Sequence, residues 1–392
     1  MGAALEGVLV LDLTQTLAGP YGSMILGDLG AEVIKIEPPG RRQTVEGGTT
    51  FKGESAHFLA VNRNKKSVTL NLKAQKGKEI FYDLTRKADV VFDNYRAGVL
   101  ERLGIDYETL KSVNPRIICC SVTGFGSTGP YRDRPAYDLL IQAISGGMSI
   151  TGEPPPARAG LPIADLCGAM FAAHGIIAAL YSRERTGVGQ RVEISLLDGQ
   201  IALLTYCVPD YFISGKAVGP VGIGQRADPT YRMFKTKDDR IVIAIAPGAR
   251  FWENLCKALD CEELATDPRF ESFAKRRENG EELASIIQET LLGKSAEEWL
   301  ERLIKEGVPA GPINTLDEAL NNPQVLHQKM VVPVDYVLGG QIKLAGNPIK
   351  MSGAEPVFKS PPTFGQHTEE VLSQLLRYSE ARIVELRREK VI

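Results

Sequence analysis

Several features that would define a class of protein are missing from this sequence of 392 residues. Its formal net charge is only −2, with 46 basic and 48 acidic residues. A nucleic-acid-binding protein would need a basic face or tail, and local basic runs such as Arg41-Arg42 and Arg63-Asn-Lys-Lys66 are too short for that. Runs of this length are enough to hold a few phosphates but not to bind a nucleic acid. We therefore expect no nucleic-acid partner.

Membrane and export signals are also missing. No apolar run reaches the roughly 18 residues of a membrane span. Residues 1–6 lack the basic-then-apolar order of a signal peptide. We therefore expect a cytoplasmic protein with no membrane partner.

The six cysteines and four histidines show no recognisable pattern. No C-x-x-C pair occurs and most cysteines lie in apolar runs, which predicts buried free thiols in a reducing compartment. Cys167 follows Asp165 by two residues and is a candidate nucleophile, but no histidine is adjacent. The histidines do not have the spacing of metal ligands, so we expect no bound metal ion.

Strands and helices alternate along the first third of the sequence. The predicted elements are a strand at 8–13, a turn at 18–22, a helix at 23–29, strands at 31–37 and 90–92, helices near 75–87 and 97–112, and a strand at 116–122. This alternation predicts an α/β fold with a mostly parallel sheet and helices on both faces. Such sheets bind ligands at the carboxyl ends of their strands.

A Gly- and Pro-rich stretch near 215–230 interrupts this pattern. After it, strands at 230–236 and 240–246 and helices near 249–260, 278–292 and 295–306 predict a smaller α+β domain. We therefore predict a large Rossmann-like domain at 1–215, a small domain at 222–320, and a C-terminal segment at 321–392. The last predicted helix, 379–389, has Ser379 as its N-cap.

One aspartate, Asp165, lies where an extended apolar run gives way to a helix predicted from Leu166 to about Arg185. Two interpretations compete. Aspartate is a common N-cap, since it accepts hydrogen bonds from free backbone N–H groups. A carboxylate that these groups keep ionised could instead react.

The first predicted strand–turn–helix unit invites a dinucleotide-binding interpretation, with Glu37 at the ribose position. The turn reads Gly19-Pro-Tyr-Gly22 rather than G-x-G-x-x-G, and Pro20 lacks an N–H group. Arg41 and Arg42 follow, and these cations suit a phosphorylated adenosine such as that of coenzyme A better than NAD. A solvated surface turn remains the alternative for each basic run.

The chain resembles the type III CoA-transferases, a family that includes formyl-CoA transferase, carnitine CoA-transferase and α-methylacyl-CoA racemase. The stretches that carry the resemblance follow one another in family order: 11–14, 18–20, 29–40, 62–67, 93–98, 121–126, 165–168, 185–192 and 365–368. The resemblance implies a CoA-transferase without a tightly bound cofactor, with acyl-CoA and a small carboxylic acid as substrates. It also implies an interlocked homodimer in which the C-terminal segment returns to the large domain.

The resemblance implies that Asp165 is the nucleophile. Its carboxylate would attack the donor thioester, form a mixed anhydride, and become an aspartyl-CoA thioester when the thiolate returns. Ionised carboxylates are competent nucleophiles without a base partner. Racemases of the family have a histidine where this chain has Tyr137, and tyrosine is a poor proton acceptor at neutral pH. We therefore favour transfer over racemisation.

Other positions carry over from the resemblance. The implied CoA-binding residues are Ala18, Arg41, Arg42, Arg63, Leu70, Asn94, Tyr95, Arg102 and Tyr137. Formyl-CoA transferase has a glutamine in place of Leu17 and an arginine in place of Pro38, for which Arg41 or Arg42 substitutes. The loop containing Gly222, Gly224 and Gln225 is a candidate substrate loop, with a glycine-rich linker as the alternative.

The leading hypothesis is CoA transfer from succinyl-CoA or a similar donor to a dicarboxylate. Arg158 or Arg226 would form an ion pair with the distal carboxylate of this acceptor. The alternatives are an α-methylacyl-CoA racemase, a CoA-binding protein without activity, and an NAD-dependent dehydrogenase. The last lacks its glycine fingerprint.

Overall fold

The computed structural model describes residues 2–40, 48–220, 222–225, 228–245 and 248–392. Backbone contacts divide the chain into two compact units. The first comprises 1–147, 159–209 and 324–392, and the second comprises 148–158 and 210–323. Residues 148–158, which the sequence division placed in the large domain, group with the second unit. The division into functional domains stays a proposal.

The strands of the described residues are β1 Leu9–Asp12, β2 Glu32–Glu37, β3 Thr50–Phe51, β4 Glu54–Ser55, β5 Lys65–Thr69, β6 Val90–Asp93, β7 Ile118–Thr123, β8 Arg191–Ser195, β9 Gly224–Gln225, β10 Asp228–Lys235, β11 Arg240–Ala244, β12 Ala310–Pro312, β13 Val331–Asp335 and β14 Gln341–Ala345.

The α-helices of the described residues are α1 Ala18–Asp28, α2 Ala56–Val61, α3 Gln75–Thr85, α4 Val99–Leu103, α5 Tyr107–Val113, α6 Asp138–Ile144, α7 Ile163–Thr186, α8 Leu196–Leu203, α9 Cys207–Ser214, α10 Ala249–Ala258, α11 Glu263–Thr266, α12 Phe273–Glu278, α13 Gly280–Leu291, α14 Ala296–Lys305, α15 Leu316–Asn321, α16 Pro323–His327, α17 Thr368–Glu370 and α18 Glu380–Arg388. A 3₁₀ helix spans Gly147–Ile150, and a π-helical turn spans Val371–Leu375.

The first unit is built on a six-stranded sheet in the order β5-β2-β1-β6-β7-β8. Every neighbouring pair is parallel, which confirms the predicted α/β class. The strand order reverses between β1 and β6, as in Rossmann folds, and ligands of such sheets bind outside the carboxyl ends of strands at that point. Any ligand site of this unit is therefore expected beside residues 13–18 and 94–97.

Apolar side chains cover both faces of this sheet. One cluster includes α3, α5 and the C-terminal residues Val391 and Ile392. The other includes α1 and α7, whose small residues allow close packing. A Cβ on Gly22 of α1 would lie 3.0 Å from the carbonyl oxygen of Ala169 in α7. This close approach brings the amino ends of the two helices to the same edge of the sheet.

The second unit contains an antiparallel sheet in the order β12-β11-β10-β9. Its core is centred on Trp252 and Trp299, both almost fully buried. The capping box Ser295–Glu298 begins α14, where the sequence pattern placed a helix start.

Several predicted elements differ from the observed ones. The predicted turn at 18–22 is already helical in α1. The predicted helix at 97–112 is two helices, because Gly104 adopts a φ of +70° and ends α4. The predicted N-cap Ser379 is confirmed, since its side chain accepts from Arg382 N.

One helix of the described residues, α7, is long and apolar enough to cross a membrane, with a mean hydropathy of 1.8 over its most apolar window. No apolar run of this length was expected from the sequence. Half of this window is buried inside the protein, and α7 packs on α1 and β7, as the core helix of a folded domain does.

Candidate active site

Asp165 lies in the first turn of α7 and does not cap it. The helix begins at Ile163, three residues before the predicted start, and its N-cap position is Pro162, which offers no side-chain cap. The N–H group of Ala164 instead donates to Oδ1 of Asp138, at 2.9 Å. The interpretation of Asp165 as the N-cap was therefore wrong, because Asp138, which lies 26 residues before Ala164 in the chain, takes that role.

The electrostatic surroundings of Asp165 also differ from the expectation. Burial, and then the negative charge of Asp138, raise the pKa of Asp165 from its ordinary value of 3.8 to about 6. From the sequence, helix-end N–H groups were expected to hold this carboxylate ionised. The raised pKa makes it a more basic carboxylate that is still mostly ionised at pH 7.

Asp165 lines a cavity of about 280 Å³ at the carboxyl edge of the parallel sheet. Four of the predicted CoA-binding residues line the same cavity: Ala18, Asn94, Tyr95 and Tyr137. Ala18 is buried at the start of α1, whereas Tyr137 has 73% of its surface exposed. The structure therefore brings the start of α1, the loop after β6 and the residue before α6 together around one carboxylate in α7.

The wall between β1 and β6 is held by paired hydrogen bonds. Gln15 N donates to Oδ1 of Asn94, and Nδ2 of Asn94 donates to the carbonyl oxygen of Gln15, both at 2.8 Å. These two hydrogen bonds join the Asn94 amide to the loop at Gln15, and its predicted contact with CoA stays a prediction. Thr16, next in this loop, has a φ of +64°, which is strained for a residue with a Cβ.

A second cavity, of about 1040 Å³, lies beside the first and shares Gln15 and Tyr95 with it. It contains the predicted residues Leu70 and Arg102, and Gly40 also lines it. Burial raises the pKa of the Tyr95 phenol, so this shared residue stays neutral. The two cavities give the site a small chamber at Asp165 and a larger chamber toward β2 and β5.

Arg63 is not brought to either cavity. Its side chain is buried and forms an ion pair with Asp28 at 2.6 Å, and its Nη1 donates to the carbonyl oxygen of Ala345 at 2.6 Å. The surface-turn interpretation of this basic run was also wrong, because Lys65 begins the buried strand β5. Arg63 links Asp28 of α1 to the C-terminal segment and lines neither cavity.

The remaining predicted residues lie elsewhere. Arg41 and Arg42 fall outside the described residues. Gly222, Gly224 and Gln225 belong to the second unit, where Gly224 and Gln225 form β9 against β10. Their role as a substrate loop stays a prediction.

Sequence reasoning missed a buried ionic network beneath the site. Nζ of Lys65 lies 3.0 Å from Oδ2 of Asp12 and also donates to the carbonyl oxygen of Pro20. Nζ of Lys35 donates to the carbonyl oxygen of Thr14. Burial alone would raise the pKa of Asp12, but Lys65 and Lys35 outweigh it and hold it below its usual range. The network fixes both ends of the loop that carries Gln15 and Ala18.

Cys167 is not placed to act as the nucleophile. It is buried, its Sγ donates to the carbonyl oxygen of Ala164, and burial raises the pKa of its thiol. In the part of the chain that the structure describes, no cluster of three His, Cys, Asp or Glu side chains could hold a metal ion.

The fold and cavities define an α/β protein with an extended candidate site at the switch point of a parallel sheet. The model for CoA-transferase family III matches residues 5–368, so the chain belongs to this family and is a CoA-transferase. It is similar to the acetyl-CoA:oxalate CoA-transferase of Acetobacter aceti, with 41% identity over 360 residues and 91% of each chain covered.

Further relatives support the same assignment. The succinyl-CoA:glutarate CoA-transferase of Homo sapiens is 39% identical over 391 residues, which cover 97% of this chain and 88% of the relative. A crystal structure of a CAIB/BAIF family protein from Brucella suis has a TM-score of 0.84 and 34% identity, with 96% of this chain and 100% of that chain covered.

Proposed function

We propose that this enzyme moves CoA from an acyl-CoA donor, such as succinyl-CoA, to a small carboxylic acid, with Asp165 as the covalent carrier. The observation that carries the proposal is the position of Asp165. Among the described residues that line the small cavity, it is the only acid. The larger cavity beside it can hold the rest of an acyl-CoA whose thioester reaches this carboxylate.

The first half of the reaction uses Asp165 twice. Its carboxylate oxygen attacks the thioester carbonyl, the carbon–sulfur bond breaks, and CoA thiolate leaves a mixed anhydride. The thiolate then attacks the aspartyl carbonyl carbon and releases the donor acid, so that an aspartyl-CoA thioester remains. A carboxylate with a raised pKa suits this role, because greater basicity makes it a better nucleophile while it is still ionised at pH 7.

The second half repeats these steps with the acceptor. The acceptor carboxylate attacks the aspartyl thioester, thiolate leaves, and thiolate then attacks the acceptor carbonyl of the new anhydride. The product acyl-CoA forms and Asp165 is regenerated as a carboxylate. Every bond broken in one half is formed in the other, so no outside energy source is needed.

Three arginines favour an anionic acceptor. Arg96, Arg132 and Arg134 line the cavity of Asp165. Within the described residues none of the three forms an ion pair, and Arg134 stacks on the ring of Tyr131 at 3.8 Å. Guanidinium groups bind carboxylates in pairs of hydrogen bonds, so these residues can hold a dicarboxylate. Arg158 lies in the second unit and Arg226 outside the described residues, and both stay predictions.

The relatives agree with this choice of substrates. Their names pair succinyl-CoA with glutarate, D-citramalate or mesaconate, and acetyl-CoA with oxalate. All of these acceptors are dicarboxylates. We therefore place a dicarboxylate first in a panel of acceptors for this enzyme.

Homodimer formation and a cytoplasmic location are also part of the proposal. Helices α6, α7 and α8 expose a set of large apolar side chains: Leu139, Leu140, Ile144, Met170, Phe171, Ile201 and Leu203. Exposed apolar surface of this extent marks an interaction site, and a second copy of the chain would cover it. Light scattering that gives the mass of one chain in solution would contradict this part.

The test of the proposed nucleophile is Asp165→Ala beside a matched control, Asp198→Ala. Asp198 occupies the same third position of its helix, α8, and is exposed. We expect Asp165→Ala to reduce CoA transfer by at least about a thousandfold. Asp198→Ala should transfer CoA at the wild-type rate. Wild-type activity in Asp165→Ala would contradict the proposal.

A further inference from the structure

The large cavity carries a group of cations that the CoA-binding predictions did not include. Besides Arg102, its lining contains Lys73, Arg387 and Lys390. Arg387 is paired with Glu369 at 2.5 Å. Lys73, Arg102 and Lys390, in contrast, form no ion pair with any other described residue. The acid of this lining, Glu37, is buried and accepts a hydrogen bond from Ser67.

Lys390 is held firmly in place although its side chain is exposed. Val391 N donates to the carbonyl oxygen of Leu386 at 2.9 Å, and Asn71 N donates to the carbonyl oxygen of Val391 at 2.8 Å. The side chains of Val391 and Ile392 are buried in the core on one face of the sheet. The backbone of Lys390 is thus fixed beside Leu70, which lines the same cavity.

The backbone conformation of Lys390 is unfavourable for lysine. Its φ is +57° at the residue after the C-cap of α18. Glycine is the usual residue at this position, because a Cβ destabilises the left-handed conformation. The positive φ alone does not indicate a binding role, because Lys329 has a similar φ and lines neither cavity. Lys390 differs from it in lining a cavity together with Lys73 and Arg102.

We infer that Lys390, which lines the same chamber as Lys73 and Arg102, binds a phosphate at the nucleotide end of CoA. The inference rests on the proposed function, since the acyl end must reach Asp165 and the nucleotide end then lies in the large chamber. It assigns the C-terminal segment a binding role beyond its packing. Ammonium groups bind phosphate through charge-assisted hydrogen bonds.

The test compares Lys390→Gly with Lys329→Gly. Lys329 is also an exposed lysine with a positive φ, +52°, just after a short helix, α16. It lines neither cavity. The two variants therefore remove the same charge and relieve the same backbone conformation, and only one of them faces the site.

Titration calorimetry with CoA and with adenosine 3′,5′-bisphosphate provides the readout. We expect Lys390→Gly to weaken binding of both by about tenfold, with an unfolding temperature at or above that of the wild type. Lys329→Gly should bind both as the wild type does. If Lys390→Gly does not fold, Lys390→Asn replaces it, because asparagine tolerates the left-handed conformation.

The outcomes separate two failures. Wild-type affinity in a folded Lys390 variant would overturn this inference and leave the proposed function intact. An equal loss of affinity in Lys329→Gly would also overturn it, since the effect would then be one of general charge. A wild-type protein that binds neither probe would contradict the proposed function itself.

Discussion

Two aspartates at the same edge of the sheet have opposite environments. Asp12, at the end of β1, is fully buried and paired with Lys65, and its pKa lies below the usual range. Asp165, in the first turn of α7, is half-buried and near Asp138, and its pKa is raised to about 6. No cation among the described residues forms an ion pair with Asp165.

We propose that this difference distinguishes a structural carboxylate, Asp12, from a reactive one, Asp165. Asp12 accepts hydrogen bonds from Thr14, Ser23 and Lys65, so its oxygens are occupied. The side chain of Asp165 faces a cavity instead. Groups with raised pKa values that face a cavity are typical of catalytic sites, whereas saturated ion pairs stabilise a fold.

The largest effect on stability is expected from Lys65→Met. This change leaves Asp12 buried without its partner, which we expect to lower the free energy of unfolding by about 3–5 kcal/mol. The matched control is Lys66→Met, whose side chain is partly exposed and pairs with Glu32 and Glu370; surface pairs of this kind contribute about 0–1 kcal/mol. Urea unfolding measures both, and equal losses would contradict the assigned structural role.

Asp165→Asn is expected to raise the free energy of unfolding, whereas Lys65→Met lowers it. The pKa of Asp165 is raised on folding, so the folded state binds more protons between about pH 4 and pH 6. Wild-type stability therefore falls as the pH rises through that window. We expect Asp165→Asn to be more stable than the wild type by roughly 1–2 kcal/mol at pH 7.5.

The same variant provides an internal check on this sign. Near pH 3.5 the carboxyl group is protonated in most folded and unfolded molecules, so the gain should disappear there. Urea unfolding at the two pH values measures it. A destabilised Asp165→Asn at pH 7.5 would show that this carboxylate supports the fold, as Asp12 does.

A smaller effect is expected on the pH dependence of transfer. Activity should fall below about pH 6, because the nucleophile must be ionised. Asp138→Asn removes the negative charge near Asp165 but keeps an oxygen that can accept from Ala164 N. The acidic limb of the kcat/KM profile should then move to lower pH. If the acidic limb does not move, Asp138 only caps α7 and its charge does not affect the pKa of Asp165.

The sequence predicted those parts of the fold that depend on local patterns. The parallel sheet followed from alternating strands and helices, and Ser379 was recognisable as a cap. Contacts between distant residues were not predictable in this way. Asp138 caps α7, Asp28 neutralises Arg63, and Lys65 reaches Asp12 53 residues earlier.

The same distinction between local patterns and long-range contacts applies to the predicted site residues. Ala18, Asn94, Tyr95 and Tyr137 were found together because the resemblance contains long-range information that a local pattern lacks. Lys390 was missed because a lysine near a helix end is ordinary in sequence. Its position in the cavity lining distinguishes it from other exposed lysines such as Lys329.

The most direct test of the central claim is mass spectrometry of the enzyme after incubation with succinyl-CoA and hydroxylamine. Hydroxylamine attacks acyl anhydrides and thioesters, so the account predicts a hydroxamate on the peptide that contains Asp165. The adduct should form only when acyl-CoA is present. An unmodified Asp165 in an enzyme that continues to transfer CoA, or a hydroxamate on another acid, would contradict the account.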